Sequence, residues 1–254
     1  MNRLQSEYCL KVEGISKSFP GTQALSKVRL EVGMGEVHAL VGENGAGKST
    51  LMNIISGVFP PDEGRILFQG RSVRFLSPNE AQTAGIGFVH QELALCPHIN
   101  VAENIYMGRY DKGPLGFIKR RKLHADTVQL LKLFCTNIQP DDKVEDLNLA
   151  DRQIVEIAKS LSLKCRLLIL DEPTSSLSDS ETEILFDIIR GLKSNGISVL
   201  YISHRIAEIF EVCDKVTVFR DGHYINTFNV SEVTPRQVVE SMVGRELHNL
   251  YPPK

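Results

Sequence analysis

Residues 42–50 read GENGAGKST, and this stretch decides the fold of the chain. Its spacing matches the phosphate-binding pattern G-x-x-x-x-G-K-[ST] at Gly42, Gly47, Lys48 and Ser49. Residues 37–41 (VHALV) before it have the composition of a buried strand, and residues 51–55 (LMNII) after it indicate a helix with an apolar face. A strand, a glycine-rich turn and a helix are the context that this motif requires, which argues against a chance glycine-rich turn.

The chemistry of this stretch predicts a site for a nucleoside triphosphate. Glycines let backbone N–H groups turn inward around phosphates, and the start of the following helix points its positive end at them. Lys48 is expected to reach the terminal phosphates, and Ser49 is expected to ligate magnesium. The predicted nucleotide-binding residues of the loop are Gly42, Glu43, Asn44, Gly45, Ala46, Gly47, Lys48, Ser49 and Thr50.

The bulk composition excludes several classes of protein. The chain has 254 residues, of which 42% are hydrophobic, so it can bury a full core as one large or two small domains. Its net charge of −2 lacks the basic excess of proteins that bind nucleic acid non-specifically, and we predict no nucleic-acid partner. The chain contains no apolar run of about 18 residues, which is the length needed to span a bilayer. Its start also lacks the apolar core of a signal peptide. The five cysteines lack the spacing of a zinc site or a disulfide framework, which indicates reduced, mostly buried thiols.

A second group of charges lies at residues 167–172, which read LLILDE. Four apolar residues followed by two acids place Asp171 and Glu172 at the carboxyl edge of a parallel sheet, where ligands bind in such folds. Asp171 fits the role of holding magnesium through water, and Glu172 fits a general base that polarises the attacking water. The alternative is a solvated acid pair that opens a loop, and the intact phosphate-binding loop favours the functional interpretation.

Alternating strand and helix patterns predict an α/β fold with a mainly parallel sheet and helices on both faces. An N-terminal antiparallel β part comes first, with strands at 8–14 and 27–33 and a turn at Pro20-Gly21. From about residue 101 to residue 163, apolar residues recur at helical spacing, which predicts an inserted helical subdomain. Further strands are predicted at 37–41, 65–69, 86–90, 167–170, 197–202 and 214–219, and helices at 180–193, 205–212 and 235–243.

Three further motifs resemble those of an ABC-type ATPase. HQE at 90–92 resembles the Q-loop, LLILDEPTSSLS from residue 167 resembles the Walker B motif and D-loop, and YISHR at 201–205 resembles the H-loop. Together with GENGAGKST, NVAENIYMGR and MVGREL, they make the chain resemble the first ATP-binding cassette of the two-cassette subunits that energise bacterial monosaccharide importers of the ribose, galactoside and xylose kind. The resemblance covers nearly the whole chain and implies the P-loop NTPase fold of an ABC cassette.

The resemblance also implies roles for single residues. Gln91 would touch the magnesium or the attacking water and sense the membrane partner, and His204 would contact the γ-phosphate and hold Glu172 in line with the water. Phe19 matches the aromatic residue that stacks on adenine, although an aromatic before Pro-Gly is as often a core residue. The predicted catalytic residues are Lys48, Gln91, Glu172 and His204, and the predicted metal ligands are Ser49, Gln91 and Asp171.

The chain departs from this family in the signature sequence, which is typically L-S-G-G-Q and here reads LNLAD at 147–151. In the family, the helix that starts here binds the γ-phosphate of an ATP held by the other cassette. Ala150 adds a methyl group where backbone approaches phosphate, and Asp151 would repel phosphate unless it is turned away. Ser178 stands where the D-loop commonly has aspartate. We therefore expect the isolated chain to bind MgATP well and to hydrolyse it slowly.

The combined expectation is a peripheral protein on the cytoplasmic side of the inner membrane that binds and hydrolyses MgATP to energise sugar import as a head-to-tail pair of cassettes. The cassette would span residues 1–245, and residues 246–254 would form a linker towards a second cassette. The implied partners are membrane-spanning permease subunits, the second cassette and, indirectly, a periplasmic sugar-binding protein. Two alternatives stay open: a soluble ABC ATPase acting on nucleic acid or ribosomes, and a regulatory module that binds nucleotide without hydrolysis.

Two surface features have competing interpretations. The apolar residues Leu93, Leu95 and Ile99 after the Q-loop fit an exposed site that docks a membrane subunit, and they fit equally a small local core under the loop. The basic run KRRK at 119–122 suggests a nucleic-acid or lipid surface, but a solvated helix start is favoured because the remaining charge gives no support.

Overall fold

The computed structural model of the protein describes residues 7–113, 116–134 and 136–244. The strands are, in chain order, β1 (Tyr8–Phe19), β2 (Thr22–Gly33), β3 (Val37–Val41), β4 (Glu63–Phe68), β5 (Arg71–Val73), β6 (Ile86–Val89), β7 (Leu167–Asp171), β8 (Ser198–Ile202), β9 (Lys215–Arg220) and β10 (His223–Asn229). The helices are α1 (Lys48–Ile55), α2 (Pro78–Ala84), α3 (Val101–Ile105), α4 (Arg120–Leu131), α5 (Leu149–Leu161), α6 (Asp179–Ser194), α7 (Ile206–Val212) and α8 (Pro235–Val243). These elements confirm the predicted α/β class.

A six-stranded sheet forms the centre, with strand order β10-β9-β3-β8-β7-β6. Neighbouring strands from β9 to β6 are parallel, and only the β10–β9 pair is antiparallel. Every residue of β3 and β8 is buried, because side chains that alternate along each strand enter two different cores. Ala39 packs with helices α5 and α6, whereas Leu40 packs with α1 and the N-terminal sheet. The parallel arrangement brings the carboxyl ends of β3, β7 and β8 to one edge of the sheet.

The N-terminal β part is a second, antiparallel sheet of order β2-β1-β4-β5. The predicted strands at 8–14 and 27–33 were too short, because irregularities in the register let β1 and β2 stay paired up to Phe19 and Thr22 on either side of the Pro20-Gly21 turn. The edge strand β5 was not predicted. It has only three residues, none of them buried, and therefore carries no apolar pattern.

The segment between β6 and β7 is helical and contains α3, α4 and α5. Helix α5 buries a continuous apolar face that includes Ile154, Val155, Ile157 and Ala158. Asn148 caps its start, since the side-chain Oδ1 accepts the N–H of Asp151 at 2.8 Å.

The described cysteines Cys9, Cys165 and Cys213 are buried, Cys96 is exposed, and all four are free thiols. Burial raises the pKa of the Cys165 thiol to about 12, so it is protonated at neutral pH. Cys135 and the predicted linker at 246–254 lie outside the described residues. Within the part of the chain that the structure describes, no helix has the length and apolar character needed to cross a bilayer.

Candidate nucleotide-binding site

The phosphate-binding loop lies between β3 and α1, as predicted, and its glycines are sterically required. Gly47 precedes α1 with φ of 96°, and a Cβ there would lie 2.5 Å from Leu25 Cδ2 and 2.7 Å from the carbonyl oxygen of Ala24. A Cβ at Gly42 would collide with the carbonyl oxygen of Phe219. Because backbone atoms lie this close, only glycine lets the loop turn at these two positions.

Lys48 is folded back onto the loop that precedes it. Its Nζ donates hydrogen bonds to the carbonyl oxygens of Gly42 at 2.8 Å and Glu43 at 3.1 Å. Burial lowers the pKa of the Lys48 ammonium, and the nearby carboxylates of Glu172 and Asp171 oppose this shift. The cation therefore sits in a partly dry site, held by neutral carbonyl groups that an anionic ligand can replace.

A cavity of about 1120 Å³ opens above the loop. It brings together side chains from the carboxyl ends of three parallel strands: Lys48 and Ser49 after β3, Asp171 and Glu172 at β7, and His204 after β8. Gln91, which follows β6, lines the same cavity, as do Gly42, Glu43, Asn44, Gly45, Gly47 and Thr50. The predicted catalytic and metal-binding residues thus share one space.

Two predicted nucleotide-binding residues do not line this cavity. The side chain of Ala46 is 3% exposed and packs in the core beneath the loop, so it could offer only its backbone to a ligand. Phe19 is 41% exposed and packs edge-on against Phe59, with 5.5 Å between ring centroids. It is paired in register with Thr22, which does line the cavity, so Phe19 lies beside the opening.

The two acids at the end of β7 have different environments. Burial raises the pKa of Asp171, and the neighbouring charge of Glu172 raises it further. The Oε1 atom of Glu172 lies 3.1 Å from Nδ1 of His204. Glu172 also has a left-handed backbone with φ of 46°, and its N–H donates to the carbonyl oxygen of Ile202 at 2.9 Å. A carboxylate and an imidazole are therefore paired in the lining of the cavity.

The oxygen atoms in this cavity fit a magnesium ion that is shared with a nucleotide. Ser49, Gln91 and Asp171 offer a hydroxyl, an amide and a carboxylate oxygen, which are the hard ligands that Mg²⁺ prefers. Across residues 7–113, 116–134 and 136–244, no group of three or more His, Cys, Asp or Glu side chains could hold a metal ion unaided. A nucleotide bound here would supply phosphate oxygens as further ligands of this kind.

Sequence reasoning missed one wall of the cavity. Thr22, Gln23 and Ala24 of β2 line it together with Asp221 and Gly222 of the turn between β9 and β10. The N–H of Ser26 donates to the carbonyl oxygen of Gly222 at 2.8 Å and joins the two segments. This contact links residues almost 200 positions apart, and no local pattern signals it.

The altered signature residues begin helix α5. Ala150 is 8% exposed, and its methyl group lies in a small gap beside Leu177 and Ile184. The side-chain Oδ1 of Asn148 accepts the N–H of Asp151 and so caps the start of this helix. Asp151 is half-buried, and this burial raises its pKa.

Of the two interpretations of Leu93, Leu95 and Ile99, the structure favours the local core over an exposed docking surface. All three are half-buried, and Leu95 packs against the core that contains Ala39 and the buried faces of α5 and α6. The cause is Asn104, a buried residue whose Oδ1 accepts the N–H of Cys96 at 2.8 Å and whose Nδ2 donates to the Cys96 carbonyl at 3.0 Å. These bonds fold the segment after the Q-loop onto α3. The basic side chains at 119–122 are exposed at the start of α4, which is consistent with a solvated face.

An open groove lies next to this segment instead. It has a volume of about 290 Å³, and its rim includes the exposed side chains of Val58 and Met107. His90 and Ala94 also line it, on either side of Gln91 in the chain. The Q-loop segment therefore borders the groove and also lines the nucleotide-binding cavity.

Comparison with known proteins places these features in a family context. Residues 25–175 match the ABC transporter family. The chain is 52% identical over 248 residues, covering 98% of it, to a ribose import ATP-binding protein of Agrobacterium fabrum, and 49% identical over 251 residues, covering 99% of it, to a ribose import ATP-binding protein of Rhizobium meliloti. It spans 49% of the length of each of these two relatives, which is about half. A crystal structure of an ATP-binding cassette of an ABC transporter in its ADP conformation superimposes with a TM-score of 0.83 at 26% identity, covering 94% of this chain and all of that one.

Proposed function

The chain belongs to the ABC transporter family, and from this we propose that it binds MgATP in the 1120 Å³ cavity and hydrolyses it to drive the import of a sugar. The observation that carries the proposal is the convergence of Lys48, Glu172 and His204 on one cavity at the edge of the sheet. Lys48 offers a cation for the phosphates, Glu172 a carboxylate for the water, and His204 an imidazole beside that carboxylate, and these groups suit phosphoryl transfer to water.

In the proposed mechanism, Lys48 exchanges its bonds to the loop carbonyls for bonds to the terminal phosphates. Magnesium, held by Ser49, Gln91 and Asp171, would supply charge that offsets the phosphates. Glu172 accepts a proton as the water oxygen attacks the γ-phosphorus, and the bond from that phosphorus to the β-phosphate oxygen breaks. His204 orients the Glu172 carboxylate and reaches the γ-phosphate. Catalysis of this kind is mostly positioning and charge stabilisation.

The sugar-import assignment is supported by the relatives, which are ribose import ATP-binding proteins. On this basis we infer that residues 1–245 form one cassette, that residues 246–254 lead to a second, and that two cassettes pair head to tail. The partners would be membrane-spanning permease subunits on the cytoplasmic side of the membrane and, indirectly, a periplasmic sugar-binding protein.

The groove between Val58 and Met107 is the surface that we assign to a helical segment of the permease. The support for this choice is continuity, because residues of one short segment, His90 to Ala94, border the groove and include Gln91 in the cavity. A segment that contacts both sites can report nucleotide hydrolysis to the membrane partner. The apolar rim suits the apolar face of an amphipathic helix.

The test of the function is phosphate release from MgATP by the wild type, by Glu172→Gln, and by Glu183→Gln, which is a matched control on an exposed residue of α6. Removing the general base should lower the rate by about 10²–10³-fold without loss of nucleotide binding, whereas the control should match the wild type. Nucleotide binding without any hydrolysis by the wild type would favour the regulatory module. Hydrolysis stimulated by RNA or ribosomes would favour the soluble ATPase.

A further inference from the structure

A buried carboxylate behind the catalytic pair has no role in the mechanism above. Glu208, on α7, is 7% exposed and accepts four hydrogen bonds. Its Oε1 accepts from Thr174 Oγ1 at 2.7 Å and from Arg205 Nη1 at 3.2 Å, and its Oε2 accepts from the Tyr201 hydroxyl at 2.8 Å and from Ser203 Oγ at 3.0 Å. A buried carboxylate is tolerated only when its oxygens are paired in this way, so the arrangement is held firmly.

Three of the donors, Thr174, Ser203 and Arg205, belong to the two loops that carry the catalytic pair, and the fourth, Tyr201, lies in β8. Thr174 lies two residues after Glu172 and is 1% exposed, and Ser203 directly precedes His204 and is 2% exposed. One carboxylate therefore joins the loop after β7 to the loop after β8. Burial and the adjacent Glu208 charge raise the pKa of the Tyr201 hydroxyl, so this donor keeps its proton at neutral pH.

The backbone conformation of Glu172 requires contacts that hold its loop in place. Its left-handed backbone, with φ of 46°, is a conformation that persists only when the surroundings determine it. The N–H of Glu172 is held by Ile202 at 2.9 Å, and the Thr174–Glu208 bond holds the other side of the same turn. Among the described residues, Glu208 bonds neither Glu172 nor His204 directly and does not line the nucleotide cavity, so any effect on them passes through the two loops.

We propose that Glu208 is a positioning residue that locks the loop of Glu172 to the loop of His204 and thereby sets the rate of hydrolysis without contributing to nucleotide affinity. The inference rests on the proposed ATPase function. Displacement of catalytic groups by about 1 Å costs about 10²-fold in rate, whereas the phosphate-binding loop is built from a different segment and stays in place.

The experiment compares the wild type with Glu208→Gln and with Glu211→Gln in the complete chain. The control makes the same substitution on the same helix, at an exposed residue that pairs with Arg190 at 2.6 Å. We expect Glu208→Gln to lower the single-turnover hydrolysis rate by about 10–100-fold, while the Kd for MgATP, measured by calorimetry, stays within about two-fold. Glu208→Asp, which keeps the charge, should recover part of the rate, and Glu211→Gln should match the wild type.

Hydrogen–deuterium exchange provides a second measurement that does not depend on turnover. Glu208→Gln should increase amide exchange in peptides covering 171–177 and 203–208 and leave the peptide covering 42–50 unchanged. An unaltered rate with unaltered exchange would overturn the role of Glu208, as would a loss of MgATP affinity equal to the loss of rate. If the wild type hydrolyses no ATP, the proposed function fails, and the exchange data alone then decide whether Glu208 joins the two loops.

Discussion

Two glycines of the phosphate-binding loop share a left-handed backbone but differ in their surroundings, which separates conformational strain from close packing. Gly45 has φ of 85° and Gly47 has φ of 96°. A Cβ at Gly47 would lie 2.5 Å from Leu25 Cδ2 and 2.7 Å from the Ala24 carbonyl oxygen, whereas a Cβ at Gly45 would meet nothing within 4 Å. We therefore expect Gly47→Ala to destabilise the protein much more than Gly45→Ala.

The sizes of the two effects follow from these contacts. An alanine in the left-handed conformation costs about 1–2 kcal/mol, which is the whole effect expected for Gly45→Ala. At Gly47 the added methyl group also presses on a backbone oxygen that cannot rotate away, and overpacking of this kind costs a further ~1–3 kcal/mol. The free energy of unfolding should thus fall by about 2–5 kcal/mol in Gly47→Ala.

The assay is urea denaturation without nucleotide, followed by circular dichroism for both variants and the wild type. Thermal unfolding gives a second readout, since 1 kcal/mol corresponds to about 2–4 °C in Tm for a chain of this size. Equal destabilisation by the two substitutions would refute the reasoning, because it would mean that the loop does not pack against Ala24 and Leu25 as described.

Three further predictions concern the acid at β7, the segment after the Q-loop and the groove. Burial raises the pKa of Asp171 because the ionised carboxylate is disfavoured in the folded protein. The free energy of unfolding should therefore fall as pH rises from the usual aspartate range through the raised pKa. Asp171→Asn should remove that fall when urea denaturation is repeated across this pH range. The same dependence of unfolding free energy on pH in the variant and the wild type would contradict this. Asn104→Ala should cost about 2–4 kcal/mol of stability and expose residues 91–99 to limited proteolysis, whereas wild-type resistance would count against the anchoring role. Val58→Asp with Met107→Asp should abolish co-purification with a co-expressed permease while leaving the ATPase rate of the isolated chain intact; retained co-purification would rule out the groove.

The central sheet and the phosphate-binding loop could be predicted from sequence because their signals are local. A glycine-rich turn between an apolar strand and an apolar helix identifies β3 and α1, and two acids after an apolar run identify β7. Parallel topology then requires the ends of these strands to meet, which is why the sequence alone assigns Lys48 and Glu172 to one site.

The features that sequence reasoning missed depend on distant contacts. Glu208 lies in the sequence IAEIFEV, where it resembles any exposed acid of a short helix. Its burial becomes visible only when the loops after β7 and β8 are placed against α7, because all four of its donors come from β8 and those loops.

Calorimetric titration of the chain with MgATP tests the central claim most directly, because the proposed function requires a triphosphate bound by the loop and by Lys48. We expect saturable binding of one nucleotide per chain, weakened when magnesium is chelated. Lys48→Ala removes a charged hydrogen-bond donor worth about 1.5–3 kcal/mol and should weaken binding by roughly tenfold or more. The absence of any binding heat in the wild type, or equal affinity in Lys48→Ala, would contradict the account.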